Sequence, residues 1–122
     1  MRILFLTHRL PYAANRGDRI RALHILKLLA AHADVDLVSL VHDNEEARHA
    51  ADLNQLAATV TVAPVSRLVG YGRALAAWPT DRSFTHSILH GSTVTAACRD
   101  LATRYRPDVV LAYCSGMARF AL

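Results

Sequence analysis

Apolar positions in this chain fall into short uninterrupted runs separated by longer stretches with helical spacing. The opening run, Arg2-Ile3-Leu4-Phe5-Leu6-Thr7, has no polar alternation and predicts a strand buried on both faces, as in a parallel sheet. A polar loop follows over residues 8–17, punctuated by Pro11 and Gly17. Asp18 is placed to cap a helix in which Ile20, Leu23, Leu26 and Ala30 recur at helical spacing, with Arg21, His24 and Lys27 on the other side. Residues 34–41, rich in valine and leucine, predict a second strand. Asn44 is a candidate cap for a helix that opens on Glu45-Glu46, acids favoured by the helix dipole, and runs to about Leu56 or Ala58. A third strand is predicted over 59–65 and a helix over 66–78, ended by Pro79, with irregular chain over 80–89. A further helix over 92–105 leads into a fourth strand over 108–114. Ser115-Gly116 then starts a last helix that runs to Leu122.

The resulting order, β-α-β-α-β-α-α-β-α, implies right-handed crossovers and a doubly wound, Rossmann-like parallel sheet with helices on both faces. A stop about two turns into a helix, with Phe120, Ala121 and Leu122 still to be buried, suggests a fragment or one half of a larger architecture.

Length and composition narrow this further. One domain fits in 122 residues, and 52% hydrophobic with 20% charged residues describes a soluble globular chain. The longest apolar runs, such as Val109 to Cys114, fall far short of the roughly 18 residues a membrane span needs. No secretory signal is visible, because Thr7-His8-Arg9 interrupts the opening run, so a cytoplasmic address is the default. The two cysteines, Cys98 and Cys114, form no Cys-x-x-Cys, and the seven histidines form no His-Glu-x-x-His; no structural metal is expected.

The net charge of +4 permits partners that are anionic. No basic–aromatic platform points to nucleic acid, and none is expected as a partner. The charge is concentrated early: Arg9, Arg16, Arg19, Arg21 and Lys27 share a stretch whose one acid is Asp18. An Arg- and Ala-rich gene would produce the same bias. Residues 67–78 interleave Leu68, Val69, Leu75 and Trp78 with Arg67 and Arg73, a pattern that fits peripheral contact with anionic lipid. A core-facing amphipathic segment is the commoner form of that pattern.

In open parallel sheets ligands lie beyond the carboxyl ends of strands where the strand order switches. Two loops qualify, residues 8–17 after the first strand and Ser115-Gly116 after the fourth, and both lead into helix N-termini that attract anions. Gly17 lets backbone approach a phosphate, and Arg16, Arg19 and Arg21 can supply charge. The plainer reading of the same residues is a turn glycine followed by a capped, solvated helix. His8 is the one histidine at a ligand-facing strand end, where packing and hydrogen bonding are commoner roles than catalysis. Gly70-Tyr71-Gly72 lacks a third glycine and a preceding strand, Arg16-Gly17-Asp18 is a chance-length match to an integrin tripeptide, and no Walker A sequence occurs.

The opening Met1-Arg2-Ile3-Leu4-Phe5-Leu6-Thr7-His8-Arg9-Leu10-Pro11-Tyr12, followed by Asn15-Arg16-Gly17-Asp18-Arg19-Ile20-Arg21, resembles the start of a glycosyltransferase family 4 protein. More narrowly it looks like the sugar transferases associated with exosortase-linked exopolysaccharide clusters in bacteria. Arg106-Pro107-Asp108-Val109-Val110 and Ser115-Gly116-Met117-Ala118 also resemble that group. The resemblance implies the N-terminal, acceptor-side half of a GT-B architecture, a single domain over residues 1–122. It implies retaining transfer of a sugar from a nucleotide-diphosphate donor to a glycan or lipid-linked acceptor, with the donor as substrate and neither cofactor nor metal.

The family's glycine loop near the donor diphosphate maps onto Gly17 and Asp18, with Arg19 beside them. His8, Arg9, Arg16, Arg21, Tyr113 and Ser115 are the candidates to face the acceptor or an anion. Many members place a histidine after the fourth strand, where this chain has Tyr113-Cys114-Ser115-Gly116, so no catalytic residue is assigned. The donor-binding half has no counterpart here, and the chain alone is expected to be inactive. The rival reading is a stand-alone flavodoxin-like binding or regulatory module without catalysis.

Overall fold

The structure is a computed structural model that describes residues 1–12, 17–65 and 92–121. Strands β1 (Arg2–Thr7), β2 (Asp34–Val41), β3 (Thr59–Pro64) and β4 (Val109–Ala112) form one sheet in the order β3-β2-β1-β4. Every pairing is parallel. Helices α1 (Gly17–Ala30), α2 (Asn44–Arg48), α3 (Ala50–Leu53), α4 (Ser92–Tyr105) and α5 (Ser115–Ala118) connect and cover the strands.

Side-chain alternation along β1 sorts the core into two layers. Leu4 and Leu6 pack with Val38 and Leu40 of β2, Val94, Cys98 and Leu101 of α4, and Met117 of α5. Phe5 points the other way, into Leu23 and Leu26 of α1 and Leu53 and Ala57 around α3. With helices on both faces, the chain has the doubly wound α/β, Rossmann-like arrangement that its alternating pattern predicts. β1 and β2 carry nearly continuous burial, which is why they read as plain apolar runs. β4 differs: Val109, Val110 and Leu111 are all exposed on the sheet's edge.

The N-terminal end of the central strands is tied by Arg2. Its guanidinium grips buried Asp36 through Nε at 2.6 Å and Nη2 at 2.9 Å, and Thr59 Oγ1 donates to the same carboxylate at 2.7 Å. The Arg2 backbone N–H donates to Asp108 at 2.7 Å, and its side chain lies over the Tyr105 ring. The hydrogen bond to Asp36 holds the Arg2 guanidinium protonated more firmly than usual.

Several local expectations change. The first helix begins at Gly17, so Asp18 sits inside its first turn and does not precede it. Its buried stripe is Arg19, Ala22, Leu23 and Leu26, spaced i, i+3, i+4, i+7, while Ile20 is turned outward. The second helix is broken at His49 into α2 and α3, and its cap is Asp43, whose carboxylate accepts from Glu46 N–H at 2.6 Å. The fourth strand keeps only Val109–Ala112: Tyr113 makes the last bond to β1, its N–H donating to Leu6 O at 2.9 Å, and Cys114 already stands at the N-cap of α5. α5 is a single turn, closed by Arg119. α4 runs Ser92–Tyr105, the range expected from the sequence, and stops at Arg106, which takes a left-handed φ of 45° just before Pro107. The predicted helix over 66–78, with its lipid-facing reading, and the irregular stretch 80–89 lie outside the described residues.

Candidate functional site

The strand order reverses at β1: β2 and β3 lie on one side and β4 on the other. The carboxyl ends of β1 and β4 therefore border the switch point, and α1 starts there. Thr7 closes β1 on the face that Phe5 shares with α1, so its hydroxyl lies toward the end of the sheet where α1 begins.

His8 follows as a half-buried residue. Its ring stacks on Tyr113 from the end of β4, with centroids 5.8 Å apart and planes 12° apart. Its Nε2 lies 3.8 Å from Asp18 Oδ2. Burial pushes the imidazole below the usual histidine range, against the opposing pull of Asp18. Tyr113 in turn donates its hydroxyl to the Asp18 carbonyl oxygen at 3.1 Å and meets Phe5 edge-on. One aromatic ring thus joins the ends of β1 and β4 to the first turn of α1.

Behind this corner lies a buried hub. Glu46 is fully buried, and its Oε1 accepts from Arg19 Nη2 and from the Leu10 backbone N–H, each at 3.2 Å. Its Oε2 accepts from the His42 N–H at 2.7 Å. His42 Nε2 donates to the His8 carbonyl oxygen at 3.0 Å. Arg19 also donates to the Tyr12 hydroxyl at 2.7 Å, and the Tyr12 ring stacks on His49 at 4.2 Å. The segment leaving β1 is therefore fastened to the end of β2 and to α2 before α1 begins.

Three buried polar atoms at this corner have no hydrogen-bond partner among the described residues: Thr7 Oγ1, His8 Nδ1 and Arg19 Nε. Thr7 and Arg19 hold two hydrogen-bond donors beside the start of α1, where a helix leaves its first N–H groups without intrahelical partners. Gly17 itself is exposed, has no positive φ, and a Cβ built on it would meet no atom within 4 Å. Neither backbone conformation nor packing demands a glycine there.

No family model, no curated protein and no solved structure matches the chain.

The sequence candidates separate on this geometry. His8, Asp18, Tyr113 and Gly17 converge at the switch point. Arg19 is beside them but only 8% exposed and held by Glu46, so most of its charge is already compensated. Arg9 is half-buried, while Arg21 and Ser115 are exposed, Ser115 at the start of α5. Arg16 lies outside the described residues. Sequence reasoning missed Glu46, Tyr12 and His42. A signal for Glu46 was present, since Asp43-Asn44-Glu45-Glu46 has the acid-to-acid spacing of a capping box, but its burial depends on Arg19 across the fold. Among the described residues no three His, Cys, Asp or Glu side chains group as a metal site, and no helix is long and apolar enough to cross a membrane.

Proposed function

We propose that the chain is the acceptor-side, N-terminal half of a retaining bacterial glycosyltransferase of the family 4 type. In this reading the corner after β1 forms one wall for the diphosphate of a nucleotide-sugar donor. The observation that carries it is Gly17: a glycine without conformational or packing need, in the first turn of a 14-residue helix beside the strand-order switch. Space left beside a backbone N–H is what a phosphate oxygen requires for close approach. The unpartnered donors on Thr7 and Arg19 supplement it.

The chemistry asks the protein to stabilise a leaving diphosphate as the anomeric carbon takes on oxocarbenium character. Fixed N–H dipoles at the α1 terminus and the Arg19 Nε–H serve that charge. His8 and Tyr113, stacked where the paired strands β1 and β4 end, form the floor that the acceptor faces. A glycan or lipid-linked acceptor in exopolysaccharide synthesis, reached from the cytoplasmic side, suits this arrangement. The chain provides one side of a cleft, and no turnover is expected from it alone.

The test is a titration of nitrogen-15-labelled protein with UDP- and GDP-sugars, read by amide shifts. Shifts clustered on Gly17, Asp18 and Arg19, lost in Gly17→Val while the spectrum stays folded, are expected. A folded protein with no shifts there overturns the diphosphate wall. The Glu46 carboxylate, which already neutralises Arg19, favours a second reading in that event: a flavodoxin-like binding module without catalysis.

A further inference from the structure

An acid in the first turn of a helix suits the dipole, but beside an anion site it repels the ligand. Asp18, the one acid of α1, stands there, and its carboxylate is turned to His8, with Oδ2 lying 3.8 Å from Nε2. The two ring nitrogens of His8 therefore have unlike surroundings. Nε2 faces Asp18, whereas Nδ1 is buried without a hydrogen-bond partner. The ring is held in this orientation by its stack on Tyr113, whose hydroxyl donates to the Asp18 carbonyl oxygen.

A carboxylate beside Nε2 draws a proton to that nitrogen, so the neutral ring presents Nδ1 as a bare lone pair. Two donors at the same corner, Thr7 Oγ1 and Arg19 Nε, are buried and equally unpartnered, and none of the three atoms bonds to another. Thr7 is fully buried and Arg19 is 8% exposed, so water does not readily serve them. A proton on Nδ1 turns the set into three donors with no acceptor. Such a set suits a group that only accepts, as an ionised phosphate does.

The groups facing the ring pull in both directions. Burial is the largest influence and disfavours the imidazolium; Asp18 from α1 favours it, Arg9 in the same loop and His42 after β2 oppose it, and Glu46 from α2 favours it. The balance leaves the ring neutral at pH 7. A phosphate brought to Nδ1 adds the negative charge that tips this balance.

We propose that His8 is a proton-switched ligand of the diphosphate: with Nε2–H facing Asp18, Nδ1 takes up one proton from solvent as the anion binds and donates it in a hydrogen bond to a phosphate oxygen. The proposal rests on the reading of this corner as a diphosphate wall. It gives Asp18 a role there, as the counter-charge that readies His8 for protonation.

The experiment follows the histidine ring shifts of the isotope-labelled full chain from pH 8 to pH 5, without and with an excess of UDP-glucose. The diphosphate of this probe stays ionised throughout, so a proton taken up on binding belongs to the protein. UDP-glucose is expected to bind about tenfold more tightly at pH 5 than at pH 8. The His8 titration should move to higher pH on binding, while that of His24, exposed on α1, stays in place. His8→Gln should bind with little pH dependence, and His24→Gln should keep the wild-type profile. The ring shifts are read in the wild type, so the outcome does not depend on a variant that folds. Two results overturn the proposal and leave the diphosphate wall standing. One is binding at Gly17 to Arg19 with an unmoved His8 titration. The other is a pH profile that persists in folded His8→Gln, which reduces the effect to overall charge. Absence of amide shifts at Gly17 to Arg19 at every pH overturns the wall and the proposal together.

Discussion

Arg19, in the first turn of α1, is neutralised by Glu46, whose buried carboxylate lies 3.2 Å from the guanidinium and also accepts two backbone N–H groups. Removing one partner of such a pair leaves an uncompensated buried charge. Glu46→Ala is therefore expected to lower unfolding stability by about 3–5 kcal/mol. Glu46→Gln, which keeps an acceptor oxygen, should cost about 1–3 kcal/mol. Urea denaturation of the two variants beside wild type measures both, and equal losses would mean the backbone N–H contacts outweigh the ion pair.

Gly17 has the opposite profile. With open space where a Cβ would stand and no positive φ, Gly17→Ala should leave the fold intact and stabilise it by up to about 1 kcal/mol by restricting the unfolded chain. A melting temperature that drops would show that the glycine answers a structural need.

His8 sets a pH dependence whose sign follows from its lowered pKa. The unfolded chain takes up this proton first as pH falls below about 6.5. The folded state resists, chiefly because the ring is half-buried, so stability is full above that pH and declines on acidification toward the folded pKa. Thermal melts of wild type and His8→Gln from pH 8 to pH 5 should converge in slope above pH 7, with the variant flatter below it.

The thiols separate in the same physical terms. Burial pushes Cys98 up to about 11, within the layer that joins α4 to the sheet, whereas Cys114 is half-buried at the start of α5. A thiol reagent at pH 8 should modify Cys114 first and reach Cys98 only at the rate of opening. Mass spectrometry of the labelled peptides gives the order.

Arg106 ends α4 in the left-handed region that a side chain enters at a cost. Arg106→Gly removes that strain and is expected to raise stability by about 0.5–1 kcal/mol. A loss in chemical denaturation would show that the arginine side chain contributes more than its backbone geometry costs.

Most of the scaffold was legible because it rests on local rules. The uninterrupted run from Ile3 to Leu6 specifies a strand enclosed on both faces, and the spacing of Val94, Cys98 and Leu101 specifies the inward side of α4. The location of the corner after β1 followed from strand order alone. The electrostatics of that corner did not. Arg19 reads as a free cation beside Gly17 until Glu46, 27 residues away, is brought against it. Ile20 reads as core for the same reason: an arginine occupies the inward position that an apolar residue ordinarily fills, so a stripe read from hydrophobicity rotates to the wrong side. The break at His49 also escaped, since Ala50, Ala51, Asp52 and Leu53 continue a helical pattern without a glycine or proline to interrupt it.

The position of β1 governs the order in which the molecule can assemble. Among the described strands it alone has neighbours from both halves of the chain: Ile3 pairs with Val35 on one side and with Val109 on the other. The Arg2 N–H waits for an acceptor 106 residues downstream. Until that stretch has been made, one entire edge of β1 stays open, and closing so large a loop is entropically slow. Enclosure of β1 should therefore be a late step in folding, completed only when β4 docks against it.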